Sequence, residues 1–482
     1  MDKPQEECAV FAAALTKGDV ARTLFLGMYA LQHRGQEGAG MVTLENQRHW
    51  HVHKDHGLVR DVFHTEETIK QLKGNIGVGH CRYATSGSQQ IANLQPFFLE
   101  TFFGSIAIAH NGQLAQAKRL REELMRTGIG LFSESDSEVI AQFMAQPALD
   151  RTEDLYKPFW EERIARFLGI AEGAYSVVLL TQDAMFAFRD PLGIRPLCIG
   201  KIDDSENSGF VVSSESCALQ TIGAQFIKEV GAGEIVRITP EGIESFRPVP
   251  QKDRLAACVF EFVYFSRPDS FLWNASVHEV RENMGKRLAI EHPVHDAHVV
   301  AGVPDSSIPM AIGYALASGI PYRQGLIKNR YIARTFIHPG DAARQKMVSL
   351  KYNILDSTVR GKIVVLVDDS LVRGSTIKNL ASMFRSAGAV QIHIRIASPP
   401  VRHPCFMGVD MKTPKELIAN RFESPEALAK FLDVDSLAYL SSEGLYAAVR
   451  TAGASSGLCS ACFTGNYPLD IEDTVSSSKV CC

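Results

Sequence analysis

Residues Ile363 to Val367 form an unbroken apolar run that ends in Asp368-Asp369 and passes through Ser370-Leu371-Val372-Arg373-Gly374-Ser375-Thr376 into a helical pattern. A strand without polar alternation is buried on both faces, the habit of a parallel sheet covered by helices. The following helix places Ile377, Leu380, Phe384 and Ala387 on one face and stops at Gly388. Val390, Ile392, Ile394 and Ile396 then alternate as the next strand. Upstream, Val299 to Val303 runs into Pro304-Asp305-Ser306-Ser307 and a helix stopping at Gly319. Strand, loop and helix repeated in this way predict a mainly parallel α/β sheet, with ligands met at the C-terminal ends of its strands. Two short helices are expected next, opened by the capping box Thr413-Pro414-Lys415-Glu416 and by Ser424-Pro425-Glu426.

The first half reads differently. From about residue 8 to 247, short strands alternate with turns: Ala174 to Thr181 with Ala184 to Phe188, and Glu234 to Ile238 with Ile243 to Phe246, are expected hairpins. This half is predicted to be antiparallel α+β. The segment 247–256, with two prolines, charge and no periodicity, suits a linker. At 482 residues, the chain has room for two or three domains of roughly 100 to 200 residues.

Composition excludes several functions. Fifty basic and 54 acidic side chains give a formal charge of -4 and no overall field for a nucleic-acid polymer, so any phosphate site must be local. No run of about 18 apolar residues exists to span a membrane. Met1 to Glu7 lack a signal's basic start and apolar core, so the expected location is cytoplasmic. Ten cysteines are too few for a disulfide scaffold and point to packing, catalysis or metal.

Small residues between a strand and a helix let backbone N–H groups nest a phosphate, while adjacent carboxylates at the rim take sugar hydroxyls or Mg2+. In Asp368 to Thr376 this pattern resembles the phosphoribosyltransferases, and Pro304 to Ser307 resembles their pyrophosphate loop. The resemblance implies a phosphoribosylpyrophosphate site of Asp305, Ser306, Asp368, Asp369, Ser370, Arg373, Gly374, Ser375 and Thr376. Ser306, Asp368 and Asp369 would contact one Mg2+ per subunit.

Cys8, Gln32 to Gly38, His80 to Thr85, His110-Asn111-Gly112 and Ser135 to Glu138 resemble, in order, the glutaminase domain of N-terminal nucleophile amidotransferases. The class implies that 1–7 is a removed propeptide and that the freed α-amino group, with a pKa of about 7.7 to 8.0, serves as base for the thiol. By this resemblance Asn111 and Gly112 form the oxyanion hole, and Arg34, Arg82 and Asp136 make the glutamine-binding site, Arg82 holding the carboxylate, Asp136 the ammonium and Arg34 supporting the site from behind. Ala9 stands where the class carries glycine, and its methyl is expected to crowd the substrate.

A glutaminase before a phosphoribosyltransferase resembles the glutamine phosphoribosylpyrophosphate amidotransferase family, in its cluster-containing bacterial type. The motifs Tyr264 to Ser270, Gly325 to Tyr331 and Arg334 to Ile337 carry the same likeness. The implied reaction moves ammonia from glutamine onto phosphoribosylpyrophosphate, giving 5-phosphoribosylamine and opening purine synthesis. The resemblance adds purine nucleotides as inhibitors and a homotetramer. Lys351 and Arg334, in a cationic stretch 331–351, are expected in a lid over the polyphosphate. Four cysteines, Cys258, Cys405, Cys459 and Cys462, leave zinc, an iron-sulfur cluster or buried thiols open on spacing alone. The resemblance assigns them one four-iron four-sulfide cluster per subunit. The divisions are then 1–7, a glutaminase domain 8–247, a phosphoribosyltransferase domain 258–440 and a C-terminal segment 441–482 with cluster ligands.

Overall fold

The computed structural model describes residues 8–83, 90–146, 159–248, 255–329, 350–411, 413–454 and 457–471. In the strand Cys8–Lys17, Val10, Ala12 and Ala14 face one side while Ala9, Phe11, Ala13 and Leu15 face the other, and all are buried. Such a strand needs an apolar layer on each side. It lies central in an antiparallel sheet of seven, ordered Gln225–Glu229, Cys198–Asp203, Ser208–Ser213, Cys8–Lys17, Ile76–Arg82, Gly38–Glu45 and His49–His56. A second antiparallel sheet runs Ile243–Phe246, Ile235–Ile238, Met185–Arg189, Gly173–Leu180, Gly104–Leu114 and Phe97–Thr101. Val10, Ala12 and Ala14 meet Ala107, Ala109, Val178 and Leu180 between the sheets. The helix Val20–Ala30 covers the outer face of the first sheet, and Asp136–Ala145 and Trp160–Ile170 cover the second. Both expected hairpins are present.

The second half holds four parallel strands in the order Val299–Gly302, Ile363–Asp368, Gln391–Ile396 and Ser436–Tyr439. The helices Val277–Glu291 and Ile308–Ser318 pack on Val300, Val365 and Val367. The helices Ser375–Ser386 and Pro425–Leu432 pack on Val364 and Leu366 from the opposite side. This double cover is why the strands read as continuous apolar runs. Ser424 caps its helix by accepting from Ala427 N at 3.3 Å. The helix expected after Thr413 is only a single 3-10 turn, Pro414–Glu416. The Thr413 side chain makes no cap bond to the backbone: its Oγ1 donates to Glu416 at 2.8 Å, and Glu416 pairs with Arg373 at 2.7 Å.

Beyond 440 the chain returns to the junction. Glu291 accepts from Ser441 N and Oγ, both at 2.8 Å. The strand Leu458–Cys459 pairs in parallel with Ala257–Cys258, directly after the 247–256 segment, of which 249–254 lie outside the described residues. No helix among the described residues is long and apolar enough to cross a membrane.

Candidate functional site

Cys8 opens its strand opposite Arg82, and the two are 8% and 7% exposed. Ala9 turns away: its methyl joins Phe11, Met28 and Cys81 in the core under the helix Val20–Ala30. The crowding expected of that methyl is therefore absent, because alternation along a strand sends neighbouring side chains to opposite faces.

Asn111 and Gly112 lie on Gly104–Leu114 of the facing sheet. Asn111 is 1% exposed, and its Nδ2 has no hydrogen-bond partner among the described residues. A buried donor without an acceptor is rare enough to require an explanation, and a ligand oxygen supplies one. Gly112 has φ of +137°, and a Cβ there would lie 1.9 Å from the Ala174 carbonyl oxygen, so only glycine fits. Asp136 begins its helix and accepts from Leu114 N at 2.9 Å, tying helix to strand. His80 Nε2 lies 3.1 Å from the His110 carbonyl oxygen, which joins the Arg82 strand to the Asn111 strand. Burial pushes the His80 imidazole down to about 3 and lowers that of His110, so both are neutral at pH 7.

Arg34 lies behind Cys8 and is turned into the protein interior. Its side chain has no exposure; Nε donates to the Cys8 carbonyl at 3.2 Å, and its other nitrogens meet Glu215 at 2.6 Å and Glu261 at 2.9 and 3.1 Å. Sequence reasoning missed both acids. The available signal was Glu261 itself, an acid inside the apolar run Val259 to Phe265. Residues 1–7 and 84–89, with the end of the His80 motif, lie outside the described residues.

In the second half Ser306 Oγ donates to Asp369 at 2.5 Å, bringing the two expected loops together. Ser370 Oγ donates to the other Asp369 oxygen at 2.6 Å. Asp368 accepts instead from Ser307 Oγ at 2.9 Å and from Asp369 N at 2.9 Å. Both acids are buried, so they are not a solvated sheet edge. Asp305 pairs with Lys328 at 2.5 Å. Gly374, at φ of +83°, turns the loop into the helix holding Ser375 and Thr376. Lys351 lies 5.2 Å from the centre of the Tyr352 ring, whereas Arg334 and 330–349 lie outside the described residues.

Cys258 and Cys459 are register partners, and the Cys462 carbonyl accepts from Arg402 N and His403 N, both at 3.0 Å, two residues before Cys405. Met407 N donates to Cys405 Sγ at 3.3 Å. Phe260 and Phe463 stack beside them with ring centres 5.5 Å apart. Burial pushes the Cys405 thiol up to about 11 and raises those of Cys258 and Cys462 further. Among the described residues no three His, Cys, Asp or Glu side chains close round a single ion position.

The profile of a glutamine amidotransferase domain matches residues 80–221. The amidophosphoribosyltransferase of Rattus norvegicus is 43% identical over 97% of this chain and 98% of its own. That of Synechocystis sp. is 46% identical over 99% and 94%. The solved glutamine phosphoribosylpyrophosphate amidotransferase of B. subtilis, complexed with ADP and GMP, matches with a TM-score of 0.87 at 41% identity, over 96% of this chain and 98% of that one. A solved structure described as the allosteric regulatory enzyme of purine biosynthesis also matches at 0.87, with 42% identity over 96% and 97%. With likeness spanning both halves, the chain belongs to the amidophosphoribosyltransferase family.

Proposed function

We propose that this chain releases ammonia from glutamine at Cys8 and uses it to displace pyrophosphate from carbon 1 of phosphoribosylpyrophosphate. The observation that carries this reading is a buried thiol on the central strand of one sheet and, on a strand of the facing sheet, a buried side-chain amide whose Nδ2 has no partner among the described residues. The Cys8 thiolate attacks the amide carbon, Asn111 Nδ2 and Gly112 N–H take the oxyanion, and the thiol's proton passes through the α-amino group to the departing ammonia. Water then cleaves the thioester to glutamate. Arg82 takes the glutamine carboxylate by two parallel bonds and Asp136 its ammonium.

In the second reaction ammonia forms the new C–N bond as the C–O bond to pyrophosphate breaks. The nest from Ser370 to Thr376 takes the 5-phosphate, and Asp305 with Ser306 lines the pyrophosphate side. Ser306, Asp368 and Asp369 offer the hard oxygens that Mg2+ takes, with few protein ligands and several waters. Bound there, Mg2+ would supply charge neutralisation for the leaving group.

Four thiols drawn toward one region support a four-iron four-sulfide cluster as the reading: Cys258 and Cys459 stand side by side on paired strands, and the Cys462 carbonyl accepts from Arg402 N and His403 N, both at 3.0 Å, just before Cys405. Its chemistry would be cross-linking of residues 258, 405 and the 459–462 pair. Anaerobically purified protein should be brown with about four irons per chain, losing colour and stability together in Cys459→Ser; stoichiometric zinc overturns the assignment. Purine nucleotides as inhibitors accord with the ADP and GMP of the B. subtilis complex. A homotetramer in the cytoplasm completes the reading.

Cys8→Ser tests the division of labour: synthesis from glutamine is lost and synthesis from added ammonia remains. Loss of both refutes two separate sites. Intact-mass measurement should find the active chain starting at Cys8; full activity with residues 1–7 attached removes the α-amino base.

A further inference from the structure

The motif Tyr264 to Ser270 has no place in either half-reaction, yet it lies where the halves exchange charges. Glu261 opens the π-helical turn Glu261–Phe265 of the second half and is fully buried. Its Oε1 accepts from Arg34 Nη2 at 2.9 Å and Arg195 Nη1 at 3.2 Å; its Oε2 accepts from Arg34 Nη1 at 3.1 Å and Ser266 Oγ at 2.7 Å. In return Glu215, of the first half, accepts from Ser270 Oγ at 2.6 Å and Arg267 N at 3.0 Å of the second. Each half thus lends a carboxylate to donors of the other. The Glu261 turn is clamped to its own half by Arg281, which donates to the carbonyls of Phe262 at 2.7 Å and Ser266 at 2.8 Å.

Stability alone does not call for this arrangement, since well-packed apolar groups often replace buried ion pairs without loss. Direction does. Arg34 lies between Glu215 and Glu261, and its remaining Nε holds the carbonyl of the nucleophile itself. Burial favours the neutral acid, but the adjacent guanidinium of Arg34, with that of Arg195, holds the Glu261 carboxyl below the usual carboxylate range.

We propose that Glu261 is a positioning residue for the glutaminase reaction, lent by the phosphoribosyltransferase half: its carboxylate fixes Arg34, and Arg34 fixes the backbone of Cys8. This rests on Cys8 being the nucleophile. Without the second carboxylate, Arg34 is drawn toward Glu215, which is already shared with His33 at 2.7 Å, and the carbonyl of Cys8 loses its anchor.

The test is Glu261→Gln in the full-length enzyme, assayed with glutamine and with ammonia. A displacement near 1 Å at a reacting group lowers rate by about 10²-fold, so kcat with glutamine should fall by about that factor. KM for glutamine should hold, because Arg82 and Asp136 are untouched, and turnover with ammonia should remain at the parent rate. Unchanged kcat with glutamine overturns the proposal. Should Glu261→Gln lose both activities, Glu261→Asp decides, since it keeps the charge and shortens the reach: selective loss with glutamine supports the proposal, equal loss or none overturns it. Cys8→Ser run in parallel separates the two ideas. Glutamine turnover surviving in Cys8→Ser removes the nucleophile and this proposal together, whereas a dead Cys8→Ser beside a fully active Glu261→Gln removes this proposal alone.

Discussion

The two candidate sites are held in opposite ways. In the first half the candidate residues stand on strands: Cys8 and Arg82 are register partners, and Asn111 and Gly112 sit on the facing sheet. Its candidate donor, Asn111 Nδ2, is buried without a partner among the described residues. In the second half the groups stand in loops at strand ends and satisfy one another: Ser306 and Ser370 with Asp369, Lys328 with Asp305, Arg373 with Glu416. A small neutral amide gains most from donors already aimed at the oxyanion, which need no reorganisation as charge develops. A large polyanion brings enough charge to pull loop groups away from their partners. Changes in the first site should therefore act on kcat, and changes in the second on KM as well.

The sharpest test of a rigid first site is Gly112→Ala. A Cβ 1.9 Å from the Ala174 carbonyl oxygen forces the strand apart and moves the neighbouring amide. Glutamine-dependent kcat should fall by at least about 10³-fold, the upper range for losing one oxyanion donor, while ammonia-dependent synthesis persists. Activity with glutamine near the parent value would mean that this strand is not the oxyanion wall. Asn111→Ala, which removes one donor without moving the backbone, should reduce the same kcat by about 10² to 10³ with KM little changed. A proportional rise in KM instead would mark Asn111 as a ground-state contact.

Acid should separate the halves next. His80 ionises near 6.5 in the unfolded chain, but burial lowers it to about 3 in the folded one. Its contribution is therefore full above pH 6.5 and lost as pH falls toward the folded value, because only the unfolded chain takes up the proton. At pH 5 the loss is about 2 kcal/mol from this residue. Amide exchange in Ile76–Arg82, corrected for its intrinsic pH dependence, should accelerate at pH 5 more than in Ile363–Asp368. The difference should shrink in His80→Gln; an unaltered difference assigns the effect elsewhere.

Much of this was legible in local pattern. Hairpins, parallel strands and glycine helix stops depend on neighbours in sequence, so the runs around Ala174, Ile243, Ile363 and Gly319 announce themselves. The loop motifs likewise name their residues, and Ser306 does meet Asp369. What sequence does not disclose is direction across a fold. That Ala9 faces a helix, that Arg34 points at two acids, and that Glu261 serves the other half all follow from tertiary contacts at separations up to 227 residues. The capping box at Thr413 misled for the same reason: a distant arginine competes for Glu416, and a three-residue turn is what remains.

That competition gives the smallest and most discriminating test of the second site. Arg373 lies in the phosphate loop, and its Nη2 meets Glu416 at 2.7 Å with side-chain exposures of 32% and 40%. If loop groups must leave their partners to bind a polyanion, Glu416 competes with the phosphate for this guanidinium. An ion pair this exposed is worth about 0.2 to 1 kcal/mol. Removing it in Glu416→Ala should then lower KM for phosphoribosylpyrophosphate by up to about fivefold, since each 1.4 kcal/mol is tenfold. The turn itself is held by Ile418 N, which donates to the Val372 carbonyl at 2.8 Å, and this bond survives the substitution. Kcat should hold, because Glu416 touches no reacting atom. A raised KM would show the reverse, that Glu416 orients Arg373 for phosphate, and the loop site would then be prearranged like the strand site.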